Sequence, residues 1–216
     1  MRIGIAFDLK ANAAGDSSRP DDALEEYDAP ETIAGLAGTL RDLGHETVEL
    51  GGGRGFLDEM VSNQRADTVD LVFNMAEGQG SRSREAHVPA VCEMLGVAYT
   101  HSDPMTLAVT LDKELTKRIA VSHGIATPQF CLIERLDDLR EAPIPRFPVI
   151  AKPNQEGSSM GIRRDALCHD RAALEAALAA AKGDPGIAIH EAQPSLEDVF
   201  IYLQDPRAKP PQPPSP

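Results

Sequence analysis

The chain has 216 residues, 42% of them hydrophobic and 25% charged, which are ordinary globular values. At ~150 residues per domain this is one large domain or two small ones, with enough chain to bury a core; wholesale disorder, collagen-like repeats and a coiled-coil rod are excluded. Its 34 acidic and 21 basic residues leave a net charge of −13, unsuited to nucleic acid, which needs a positive field.

Arg2–Phe7 reads as a buried first strand, followed by a polar loop from Asp8 to about Asp28. Pro30 and Glu31 open a helix to about Leu43, where Gly44 stops it. His45–Leu50 reads as a second strand, Gly51–Gly53 as a turn, and Phe56–Gln64 as a helix. Val69–Asn74 is a third strand, Arg84–Leu95 a helix ended by Gly96, and Val97–Tyr99 a fourth strand. This alternation predicts a parallel α/β sheet with helices on both faces, whose ligands sit beyond the carboxyl ends of the strands. Thr106–His123 then reads as one or two helices before Gly124. Gln129–Ile133 and Phe147–Pro153 read as strands, Ala172–Lys182 as an Ala-rich helix, and Ile187–His190 as a last strand. From about residue 104 the pattern is a second, smaller α+β unit. Asp205–Pro216 holds six prolines and reads as a polyproline-like or disordered tail.

No apolar run approaches a bilayer span, and the N-terminus lacks a signal peptide's apolar stretch, so no membrane partner is expected. Cys92, Cys131 and Cys168 form neither a disulfide framework nor a zinc pattern, and are read as idle thiols in a reducing cytoplasm. There is no Trp, which disfavours base stacking. The six histidines show no HExxH or other ligand pairing, and no serine sits in a Gly-x-Ser-x-Gly elbow.

Three stretches can carry chemistry. In Lys152–Gly161 (KPNQEGSSMG) a lysine at a strand end precedes a Gly/Ser turn whose N–H groups can cradle phosphate. It is not a Walker loop, and taken alone such a turn is more often a hairpin connection. Lys113 and Lys117 share a helical face, either a polyphosphate contact or a solvated face of Lys-Glu pairs. Phe73–Gly80 (FNMAEGQG) is a substrate loop or a plain strand–helix connection.

In order and spacing, these segments resemble the D-alanine–D-alanine ligase family of ATP-grasp enzymes. LVFNMAEG with VPAVCEMLGVAYTHSD is similar to that family's strand, loop and helix ahead of its PYTGS-type segment. TLAVTLDKELTKRIAVSHGIATPQF resembles its Asp-Lys…Thr-Lys helix, and FPVIAKPNQEGSSMGI its lysine strand and phosphate-covering loop. The resemblance implies a Rossmann-like (pre-ATP-grasp) substrate domain over 1–103 and the first half of an α+β ATP-grasp domain over 104–192. It implies a carboxylate–amine ligase that joins two D-alanines with ATP and Mg²⁺ through an acyl phosphate, for peptidoglycan precursors. Lys113 and Lys152 would contact ATP phosphates, and Gly157, Ser158 and Ser159 would close over the γ-phosphate and first substrate. Ser158 would also hold the reacting centre, Glu31 the first substrate's ammonium, and Glu191 the adenine. The logic is that of phosphoryl transfer, which rests on positioning and charge neutralisation.

Two departures qualify the resemblance. Glu77 stands where many members have a His before Gly, which opens a ligase for a different amino acid or peptide. The family's metal-binding carboxylates and its E-x-N-x-x-P-G segment are not in this sequence, so no metal ligands are assigned. Residues 193–216 are non-homologous: PSLEDVFIYL resembles the last helix of ABC-transporter ATPase subunits, without a Walker motif. The expectation is a C-terminally truncated member, either a ligase or a non-catalytic remnant that binds nucleotide or substrate weakly. Its exposed edge would favour a homodimer.

Overall fold

Strand β1 (Arg2–Ala6) is buried along almost its whole length, as an unbroken apolar run requires. It pairs in parallel with β2 (Glu46–Glu49) on one side and β3 (Leu71–Asn74) on the other, with Ile5 opposite Glu49 and Phe73. A short β4 (Ala98–Tyr99) adds in parallel to β3, giving the order β2-β1-β3-β4. The computed structural model describes residues 1–10, 24–162, 165–181 and 187–191, without the side chains of 190 and 191. The expected tail, the PSLEDVFIYL helix and much of the loop after β1 lie outside the described residues.

Helices cover both faces of this parallel sheet. Helix α1 (Pro30–Asp42) has Pro at its start and turns Ile33, Ala37 and Leu40 onto Ile3, Ile5 and Phe7. On the other face, Phe56 and Met60 pack with Val72 and with Cys92 of α3 (His87–Leu95). Each such side chain contributes about 1.5–3 kcal/mol by leaving water. The helix read as Phe56–Gln64 instead begins at Gly53: α2 (Gly53–Leu57) widens into a π-turn over Asp58–Ser62. Gly52, just ahead of it, is extended and packed so tightly that any Cβ would collide with Asp8 Oδ1 and Phe7 O. Arg84–Ala86 form a 3-10 turn ahead of α3, and Gly96 ends it at φ 69°.

The long helical stretch is two helices, α4 (Pro104–Leu111) and α5 (Lys113–Ser122), broken at Asp112. Asp103 caps α4 by accepting from the N–H groups of Met105 (3.0 Å) and Thr106 (3.1 Å).

The second sheet has the order β5-β8-β6-β7, from β5 (Phe130–Ile133), β6 (Val149–Pro153), β7 (Leu167–Cys168) and β8 (Ile187–Glu191). β5 runs antiparallel to β8, and β6 to β7. Helix α6 (Arg171–Ala180), capped by Asp170, buries Leu174 and Leu178 against Ile133, Val149 and Ile189. The sequence did not announce β7 or the 3-10 turn at Leu136–Arg140. The chain forms two compact units: Met1–Ile125 with Pro153–Ile162, and Ala126–Lys152 with the described residues beyond Ile162. The turn after β6 therefore belongs to the first unit. Among the described residues, no helix is long and apolar enough to cross a membrane.

Candidate functional site

Asp112, which breaks the α4–α5 stretch, is only 3% exposed. Its Oδ1 accepts from the Leu115 N–H (3.0 Å) and Asn154 Nδ2 (2.9 Å). Its Oδ2 accepts from Gln155 Nε2 (3.2 Å) and Arg82 Nη2 (2.9 Å). Burial alone would raise this carboxyl's pKa, but those four donors hold it below the usual value. Asn154, 4% exposed, completes the lock: its Oδ1 accepts from the Glu114 N–H (2.9 Å) and its carbonyl from the Lys113 N–H (3.0 Å). The base of the Gly/Ser loop is thereby docked on the N-terminus of α5, where backbone donors would otherwise stay unpaired.

A second anchor is Arg84, 7% exposed. Its Nη2 reaches Glu26 Oε2 at 2.9 Å and Glu156 Oε2 at 3.2 Å, and its Nη1 donates to the Gln155 carbonyl at 2.7 Å. The Glu26 side chain is itself only 4% exposed. Burial would lower the guanidinium's pKa, and the bond to Glu26 with the charges of Glu156, Glu26 and Glu85 raises it instead. Gly157 lies against Glu26 so closely that a Cβ would collide with Glu26 Oε1. Lys113 Nζ donates to the Glu156 carbonyl.

Beyond Gly157 the loop opens. Ser158 (φ 43°) and Ser159 (φ 63°) are successive left-handed residues, both exposed. Met160 N–H closes a turn on the Gly157 carbonyl (2.8 Å), and Ile162 N–H one on that of Ser159 (3.0 Å). Among the described residues, the N–H and hydroxyl groups of Ser158 and Ser159 find no partner. Two successive strained serines are the kind of backbone that functional loops retain.

Two clefts flank Arg84 at the carboxyl ends of β1 and β3, where the strand order reverses and α/β sheets bind ligands. One, of about 410 Å³, is lined by Asp8, Tyr27, Gly52, Gly78, Arg84 and His87 among others. Asp8 Oδ2 accepts from the Gly78 N–H there at 2.8 Å. The other, of about 620 Å³, holds Glu26, Asp28, Glu77 and Glu85. Burial, then the charges of Glu26 and Glu85, push the Glu77 carboxyl up to about 7, and Arg84 only partly opposes them.

The structure thus brings Lys113, Gly157 and Glu26 together, with Ser158 and Ser159 on the exposed crest of the loop. Lys152 is half-buried in β6, in the second compact unit. Glu31 is exposed on the first turn of α1 and lines neither cleft; Glu26, from the preceding loop, supplies the buried acid. Glu191 closes β8, and its side chain lies outside the described residues. The three cysteines are free and buried, and burial pushes the thiols of Cys92 and Cys131 up to about 11. Sequence reasoning passed over Glu26, Arg84, Asp112 and Asn154, which carry the anchoring.

No family model matches the chain. It is 33% identical to the D-alanine–D-alanine ligase of Novosphingobium aromaticivorans over 129 residues, 59% of this chain and 39% of that one. It is 34% identical to the ligase of the same name from Aquifex aeolicus over 134 residues, 62% of this chain and 44% of that one. Over these aligned residues the chain is similar to D-alanine–D-alanine ligases. An uncharacterized protein of Sinorhizobium fredii, y4sG, is 37% identical over 151 residues, 66% of this chain and 42% of that one. The chain therefore spans about two-fifths of the length of these relatives. The fold is similar to that of solved D-alanine–D-alanine ligases. The D-alanine–D-alanine ligase of Bacillus anthracis superposes with a TM-score of 0.63 at 22% identity, over 89% of this chain and 58% of that one. The same enzyme complexed with ATP superposes at 0.62.

Proposed function

We propose that the chain carries the substrate cleft and phosphate loop of an ATP-dependent carboxylate–amine ligase of the D-alanine–D-alanine type. The observation that carries this is the loop Gly157–Gly161, open at Ser158 and Ser159 and fixed at its base by Asp112, Asn154 and Arg84. Unpartnered N–H and hydroxyl groups on a rigid base suit phosphate oxygens, and a preorganised cradle costs no reordering on binding. In this reading residues 1–103 form the substrate domain and 104–192 the first half of the ATP-grasp domain. Gly157, Ser158, Ser159, Lys113 and Lys152 hold phosphates, Ser158 also steadies the reacting centre, and Glu191 meets the adenine. Glu26 takes the substrate-ammonium role that the resemblance assigned to Glu31, because it is the buried acid of the cleft.

ATP, when bound, supplies the phosphoryl group that activates a carboxylate for attack by an amine. The protein's own part is to orient the phosphates, keep water from the reacting carboxyl and hold the amine. Among the described residues, no group of three His, Cys, Asp or Glu is placed to hold a metal ion. A role in peptidoglycan precursor synthesis in the cytoplasm goes with the ligase reading.

The test is calorimetric titration of the purified chain with a non-hydrolysable ATP analogue, followed by phosphate release from Mg-ATP with and without D-alanine. Saturable binding lost in Lys152→Ala supports the phosphate assignment, and D-alanine-dependent release supports ligation. Binding without release makes the chain a non-catalytic nucleotide binder. No binding overturns the proposal.

A further inference from the structure

The second sheet is dressed on one face only. Helix α6 and the Leu136–Arg140 turn bury Leu174, Leu178 and Leu139 against Cys131, Ile133, Val149 and Ile189. Strand alternation turns the residues between these to the other face: Phe130 and Leu132 of β5, Ile150 and Lys152 of β6, and Leu167 of β7. Leu167 stands opposite Ile150 and is 46% exposed, and Leu132 and Ile150 are half-buried. Ala188 of the interior strand β8 stands opposite Leu132, so this apolar surface crosses all four strands. Among the described residues of this unit α6 is the one helix, and it lies on the other side. A sheet that is apolar on both faces needs a layer on each.

Residues 192–216 follow β8 directly. Within them Leu196, Val199, Phe200 and Leu203 recur at the spacing of one helical face, behind the capping signature Ser195-x-x-Asp198. We infer that residues 196–203 dock on the open face of the second sheet in the same molecule, through Leu196, Val199, Phe200 and Leu203. The inference stands independently of the ligase reading. The dimensions agree: a helix of residues 196–203 is ~12 Å long, and four strands are ~14 Å across. Residues 192–195 reach up to ~13 Å, more than the ~10 Å between packed layers.

Charge agrees as well. Lys152 stands on the same face as Ile150, and Glu197 and Asp198 flank the apolar stripe of the segment. The tether decides between this segment and a second copy of the chain. A short linker gives an effective concentration on the order of millimolar, which a free partner must match from solution. The docked segment brings two carboxylates to the sheet that carries Lys152, so an anion held by Lys152 competes with it.

The experiment uses the full chain, which has no Trp, so one introduced indole reports alone. Phe200→Trp places it on the stripe, and Tyr202→Trp places it on the far side of the same turn. Acrylamide quenching of Phe200→Trp is expected to be at least threefold weaker than that of Tyr202→Trp, with bluer emission, and to stay so on dilution. Adding Leu167→Glu, a charge at an exposed position on the face, is expected to bring the quenching of Phe200→Trp close to that of Tyr202→Trp. Adding Leu43→Glu, at an exposed position in the first unit, is expected to leave it unchanged. Equal quenching of the two indoles overturns the docking. A protected indole that ignores Leu167→Glu, in a chain whose circular dichroism is unaltered, overturns the choice of face. Protection that disappears on dilution, with light scattering showing a dimer at high concentration, makes a second copy the occupant and overturns the intramolecular assignment. No nucleotide is present, so the outcome is independent of whether the chain binds the ATP analogue.

Discussion

The two halves of the loop after β6 obey opposite rules. Asn154–Glu156 spend their polar groups inward, on Asp112, the start of α5 and Arg84. Gly157–Gly161 make two internal turns and leave the serines open. The contrast separates stability from function within eight residues. Substitutions in the inner half should cost folding energy, and substitutions in the outer half should cost ligand affinity while the fold stays intact.

The largest effect is expected at Arg84. Arg84→Ala strands Glu26 as a buried, unpaired carboxylate, at a cost of about 3–5 kcal/mol. Urea denaturation monitored by circular dichroism measures this, and a loss below about 1 kcal/mol would mean that the inner half is not anchored as described. Asn154→Ala should cost less, about 1–3 kcal/mol, because it leaves Asp112 short of one donor and the Glu114 N–H without an acceptor. The smallest stability effect belongs to Ser158→Ala, within about 0.5 kcal/mol, since its hydroxyl is exposed and unpartnered. If the outer half binds phosphate, the same variant weakens the ATP analogue clearly. A variant that melts early and binds normally would reverse the comparison.

The sequence's legible parts were those governed by local rules. Periodicity and Gly stops marked the parallel sheet and helices on both of its faces, because each strand and each apolar stripe is written in consecutive residues. Lys113 and the Gly/Ser turn stood out because cations and glycines at such places are locally unusual. Arg84 did not. It sits in the polar run Ser81–Glu85, which reads as a solvated helix start, and its burial is decided by Glu26 and Gln155, 58 and 71 residues away. Asp112 had a usable signal: an Asp three residues ahead of Leu115 is a helix cap, and the break it makes was within reach. Glu26 was hidden by Glu31, whose place at a helix start matches a local rule while its side chain faces solvent.

The Arg84 clamp also sets an order of events. A ribosome releases Glu26 first, the guanidinium many residues later, and the backbone that both enclose later still. Until residue 155 has emerged, Arg84 can pair with Glu26 but has no Gln155 carbonyl to grip, and the first sheet assembles around an open corner. Contacts of such long range form late on the folding path. Weakening the clamp should therefore speed unfolding far more than it slows folding, and the corner should be the first place where the finished protein comes undone.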